Sequence, residues 1–145
     1  MSLHNLHFRA FCHATEDEGK VMKALIFASG CEENNVGRMK CEGHHGNPII
    51  ILDVDIRSSI EIRKVFSRLS KRDLQTLIDD LERRVDEECS FFFRLDKQNA
   101  FEGIMILGEK NEGNDVIAVH GKIKTYPKSR KRALETMKEY LISIA

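Results

Sequence analysis

The chain has 145 residues, 41% hydrophobic and 32% charged, with two Pro and nine Gly. That is enough for one domain burying roughly two-thirds of the surface its unfolded chain exposes, and the composition excludes long disordered tracts. Its 23 basic and 23 acidic residues cancel, which excludes a globally basic nucleic-acid binder and leaves any such case to the distribution of charge.

In chain order, weak alternation from Leu6 to His13 predicts a strand. Thr15-Glu16-Asp17-Glu18 then reads as a capping box opening a helix, whose face carries Val21, Leu25 and Ala28 and which Gly30 ends. Val36 to Cys41 fits a short strand. Gly43 to Pro48 is a turn, since two Gly, an Asn and a Pro extend neither regular element. The β-branched run Ile49 to Ile56 predicts a central strand.

Ser58 or Ser59 and then Ser70 can cap two amphipathic helices. Their stripes are Ile62, Val65, Phe66 and Leu69, and Leu74, Leu77, Ile78, Leu81 and Val85. Cys89 to Asp96 reads as a strand, with Phe91 and Phe93 core-facing and Phe92 on the other side. A short link over Lys97 to Phe101, a strand from Gly103 to Leu107 and a turn at Asn111 to Asn114 follow. A long strand from Asp115 to Tyr126 and a helix over 128–144, with stripe Leu134, Met137, Leu141 and Ile144, complete the chain. The order β-α-β-β-α-α-β-β-β-α predicts a single α+β domain over 1–145. Its architecture would be two layers, a mixed or antiparallel sheet with helices packed on one face.

Charge is segregated. Between 121 and 132 lie Lys122, Lys124, Lys128, Arg130, Lys131 and Arg132 and no acid. Cations at the start of the last helix oppose its dipole, a local cost that a bound phosphate would offset. A second basic stretch runs over 57–72, whereas 73–88 is strongly acidic. Such segregation gives a neutral protein a basic face and an acidic one, or simply solvated helix surfaces.

Chemistry is sparse. Cys41, His44 and His45 in the Gly-rich turn lack the second ligand pair that structural zinc needs, so no metal is expected. Cys12, Cys31, Cys41 and Cys89 form no C-x-x-C pair and are expected to be reduced thiols. Asp53 and Asp55 share a strand face and could bind magnesium, but they read better as the solvent side of a strand. No phosphate-cradling glycine motif is present, nor the aromatic signature of an RNA-recognition module. No apolar run approaches the ~20 residues of a membrane span, and no stretch reads as a signal peptide. Arg94 to Gln98 gathers side chains able to donate to phosphates and base edges.

Four stretches, Phe8 to Asp17, Glu42 to Ile49, Arg84 to Glu87 and Phe93 to Gly103, resemble an archaeal family of predicted exosome subunits or RNA-binding proteins. The resemblance implies a cytoplasmic protein and a fold like that of a ribosomal protein contacting 5S RNA. It brings no catalytic residue or cofactor, and it adds His45, Asn47, Arg94, Lys97 and Gln98 as candidate RNA contacts. The expected activity is therefore non-catalytic RNA binding. The 122–132 cations would supply phosphate affinity, and exosome or ribosomal components or a second copy would be the expected further partners. The rival readings are an assembly subunit that uses its segregated charge to dock, and a metal-assisted hydrolase built on Asp53 and Asp55.

Overall fold

The computed structural model describes residues 2–43, 46–108 and 115–145. The chain runs β1 (Leu6–Cys12), α1 (Glu18–Ser29), a 3-10 turn (Glu33–Asn35), β2 (Gly37–Glu42), β3 (Pro48–Ile56), α2 (Ser59–Ser67), α3 (Lys71–Asp79), α4 (Leu81–Arg84), β4 (Ser90–Asp96), α5 (Lys97–Phe101), β5 (Val116–Lys122) and α6 (Arg130–Ile144). The five described strands form one sheet in the order β2-β3-β1-β5-β4. Every pairing is antiparallel, so the expected α+β two-layer fold takes its antiparallel form.

Alternation decides the layers. Leu6, Phe8, Ala10 and Cys12, then Leu52, Val54 and Ile56, Phe91, Phe93 and Leu95, and Ile117 and Val119 all point to one side and are buried. They meet the apolar stripes of the helices, including Leu25, Phe66, Leu77 and Met137, in one core. The helices thus cover one face and leave the other open.

Several expectations change in detail. α1 starts at Glu18, two residues later than a Thr15 cap would begin it, because Asp17 caps it by accepting from Gly19 N. Glu16 is instead drawn to the Lys97 ammonium and the His13 N–H. Gly30 closes the helix in the left-handed region, its N–H on Ile26 O. Ser58 and Ser70 cap α2 and α3 as expected. The long helix expected after Ser70 breaks at Asp80, whose φ of −99° and ψ of 10° leave the helical region; Asp is poorly suited to a helix interior.

No strand forms over Gly103–Leu107. The segment reverses at Gly103 (φ 83°) and lies along the outer edge of β4 through Asp96 N to Ile106 O and Gly108 N to Arg94 O. β4 ends at Asp96, so only a single bridge, Leu95 to Leu107, is possible. β5 stops at Lys122 rather than Tyr126, and α6 opens at Arg130 behind its cap Ser129. The expected turn at 111–114 lies outside the described residues.

Candidate nucleic-acid interface

The uncovered sheet face carries a pattern set by register. Phe92 on β4 stands opposite His120 on β5, His120 opposite His7 on β1, and His7 opposite Asp55 on β3. The rings touch in sequence: Phe92 and His120 centroids are 5.8 Å apart and His120 and His7 5.1 Å. One step along the strands lies a parallel row, Arg94, Ala118, Arg9 and Asp53. Phe92 is 44% exposed, a large apolar ring that the sheet offers to solvent. The small Ala118 leaves an open groove of about 630 Å³ between Arg83, Arg84, Phe92, Arg94 and His120. Aromatic and imidazole faces flanked by guanidinium groups on an open sheet form a surface that can stack bases and pair with phosphates.

The far end of this face is acidic, and its charge has partners. His7 lies 3.4 Å from Asp53 and 3.7 Å from Asp55. Asp55 also accepts from Asn5 at 2.7 Å and from Arg57 at 2.9 Å. Burial holds the His120 imidazole below its ordinary range, with the nearby His7 and Arg9 charges adding to the effect and Asp55 opposing it. At neutral pH His120 is therefore a neutral stacking face.

The candidates named from sequence do not form one cluster. Arg94, Lys122 and Lys124 belong to the open face. Lys128 pairs with Glu88 at 2.6 Å, and Lys122 donates to the Glu88 carbonyl at 2.6 Å. Arg130 donates to Val85 O at 3.1 Å and Glu82 O at 2.6 Å, at the carbonyl end of α4. The acidic 73–88 stretch and the basic 122–132 stretch, separate along the chain, thus meet in space. Arg132 donates to Tyr126 O, and Lys131 is exposed.

At the opposite end of the sheet, roughly 20 Å away along β1, lie the remaining candidates. Lys97 is 5% exposed and turned inward, its ammonium on Phe11 O and Glu16. That geometry corrects the expectation of an RNA contact there, since a buried ammonium holding the protein's own oxygens cannot reach a phosphate. Gln98 reaches Glu102, and Asn47 sits at the exposed β2–β3 hairpin. His44 and His45 lie outside the described residues. Among the described residues no group of three or more His, Cys, Asp or Glu is placed to hold a metal ion.

A family model described as RNA binding matches residues 5–124. The chain belongs to this RNA-binding family. An RNA-binding protein of Pyrococcus abyssi is 36% identical over 149 residues, spanning 97% of this chain and 95% of that protein. The fold is that of a DUF54 protein of Methanothermobacter thermautotrophicus, at TM-score 0.78 and 31% identity, with 97% of this chain and 99% of that one covered. It also matches a DUF54 protein of Archaeoglobus fulgidus, at TM-score 0.80 and 32% identity over 94% and 98% of the two chains.

The family match covers the whole open face, from Asn5 to Lys124. Sequence reasoning put Phe92 on the side away from Phe91 and Phe93, exposed or meeting the helices, and missed His7, Arg9 and His120. The signal was the period-2 spacing of Ala118, His120, Lys122 and Lys124. It becomes legible only once β5 is known to lie between β1 and β4.

Proposed function

We propose that this member of the RNA-binding family binds RNA across its open sheet face and carries out no reaction on it. The observation that carries this reading is the register-aligned row Phe92, His120 and His7 beside Arg94 and Arg9, on the one sheet face that no helix covers. An exposed Phe beside a neutral imidazole gives stacking faces, and stacking contributes about 1–3 kcal/mol per base. Arg94 and Arg83 at the groove rim are suited to phosphate. The non-catalytic part is supported by Asp53 and Asp55, whose carboxylates already face His7, Asn5 and Arg57. An association with the exosome or with ribosomal components belongs to the same proposal; its mark is co-purification that survives nuclease treatment.

The test is binding of labelled single-stranded and hairpin RNA over a salt series, comparing the wild type with Phe92→Ala/Arg94→Ala. Both side chains are at the surface, so the variant should fold normally. We expect affinity to fall at least about tenfold, with a salt slope shallower by about 0.7–0.9 per lost phosphate contact. Unchanged affinity would move the site to the exposed cations Lys124 and Lys131. Absence of binding at low salt would reject autonomous RNA recognition in favour of an assembly subunit docking through its acidic and basic faces.

A further inference from the structure

The open face does not end at His120. Alternation puts Ala118, His120, Lys122 and Lys124 on one side of the chain. The extended conformation persists beyond β5, because Ile123 is buried and bridges to Leu3, and Lys124 N donates to Ser2 O at 2.9 Å. Two residues on, Tyr126 stands 93% exposed, the most exposed of the described large apolar side chains. Arg132 donates to the Tyr126 backbone O at 3.0 Å, while the Tyr126 side chain stays exposed. The Lys122 ammonium uses one donor on Glu88 O and keeps two more. Tyr126 itself stands at a bend, so the strand rise sets an upper bound of roughly 20 Å on its distance from His120. On the other flank, Asp53 and Asp55 offset the charge of Arg9 and Arg57, so that side draws a phosphate chain less than Lys122 and Lys124 do.

We propose that a single-stranded RNA segment runs along β5, with one base stacked on Phe92 and His120, another on Tyr126, and the intervening phosphates on Lys122 and Lys124. This rests on the reading of the open face given above and adds the form of RNA, its direction and a second stacking station. The β3 flank, whose cations are matched by carboxylates, leaves the β5 and β4 side as the path of the backbone. Stacking on exposed rings requires unpaired bases, since a duplex hides its base faces and its deep, narrow major groove admits no sheet. Two stations separated by up to about 20 Å make affinity depend on RNA length.

The chain contains no Trp and two Tyr, Tyr126 and Tyr140. Tyr140 is half-buried and edge-on to Phe66, with centroids 5.6 Å apart, so base stacking on Tyr126 is read directly by quenching of tyrosine emission. The probes are oligouridylates of about four and about ten nucleotides and a blunt duplex matched in length to the longer one.

The longer single strand is expected to quench emission and to bind at least about tenfold more tightly than the shorter strand or the duplex. Tyr126→Ala should lower affinity for the longer strand about 5- to 100-fold, a larger factor than for the shorter. Tyr126→Phe should keep the affinity and lose the quench. Equal affinity of Tyr126→Ala and wild type at every length would overturn the proposal, as would a duplex bound as tightly as the longer strand. Length-independent binding that still requires Phe92 would overturn only the path to Tyr126, whereas no binding of any probe would overturn the open-face reading with it.

Discussion

Long cationic side chains do two different jobs in this molecule, and their hydrogen-bond partners separate them. Arg68 donates to Phe27 O and Ala28 O at the end of α1 and lies 4.9 Å over the Phe27 ring. Arg130 does the same for the end of α4, and Lys97 ties β1 to Glu16. Each places positive charge where carbonyls accumulate, which is where a helix end or loop lacks donors. Arg130→Ala should therefore cost about 2 kcal/mol in denaturant unfolding, while Lys131→Ala should leave the midpoint unchanged. Any RNA defect of an Arg130 variant has to be read against that loss of fold. For Glu16, burial alone would raise the carboxyl, but the hydrogen bonds from Lys97 and His13 N outweigh it and hold it below its ordinary value. The sign follows: this contribution is present above the unfolded carboxylate range, about pH 4.3, and is lost as pH falls through the lower folded value. Lys97→Met should destabilise the protein by about 3 kcal/mol at neutral pH and flatten the acid limb of its stability curve. An unaltered acid limb would count against the pair.

At the scale of elements, β5 has the tightest position in the sheet. Gly121 sits on the covered side of that strand, opposite Phe91, and a Cβ there would meet Asn5 O at 2.3 Å. The obstacle is backbone, which cannot rotate away. Gly121→Ala should cost about 2 kcal/mol or more and loosen β5 against β1, visible as faster amide exchange at Lys122 and His4. Much of this element plan was legible in the sequence because it rests on local signals. Ser58, Ser70 and Gly30 act at the ends where their chemistry points, and the apolar alternation of β1, β3 and β4 identifies the covered face. The failures have non-local causes. Glu16 was claimed by a lysine 81 residues away, and the Ile-rich 104–107 segment ran out of partner strand at Asp96. The open face was the least legible feature, since His7, Phe92 and His120 become neighbours only through the long-range order β1-β5-β4. Periodicity can say that each faces away from the core. It cannot say that the three adjoin.

For the whole molecule, the zero net charge places a limit on how RNA can be held. Attraction cannot come from net charge, so it must come from a local surface. His120 is the titratable group at its centre, neutral at ordinary pH because it is half-buried and lies near His7 and Arg9, with only Asp55 acting the other way. Its folded pKa lies below the unfolded value, so protonating it costs stability as pH falls below about 6.5. A bound phosphate chain reverses that preference by giving the imidazolium an anionic neighbour, which raises its pKa in the complex. Linkage then requires RNA affinity to rise as pH falls through the interval between the two values, by no more than about tenfold per pH unit for uptake of one proton. Titrating RNA binding from about pH 8 to about pH 5.5 should show this rise in the wild type. His120→Gln keeps a planar polar side chain without the proton and should bind independently of pH over the same range. A pH dependence that survives in His120→Gln would assign the proton to another group.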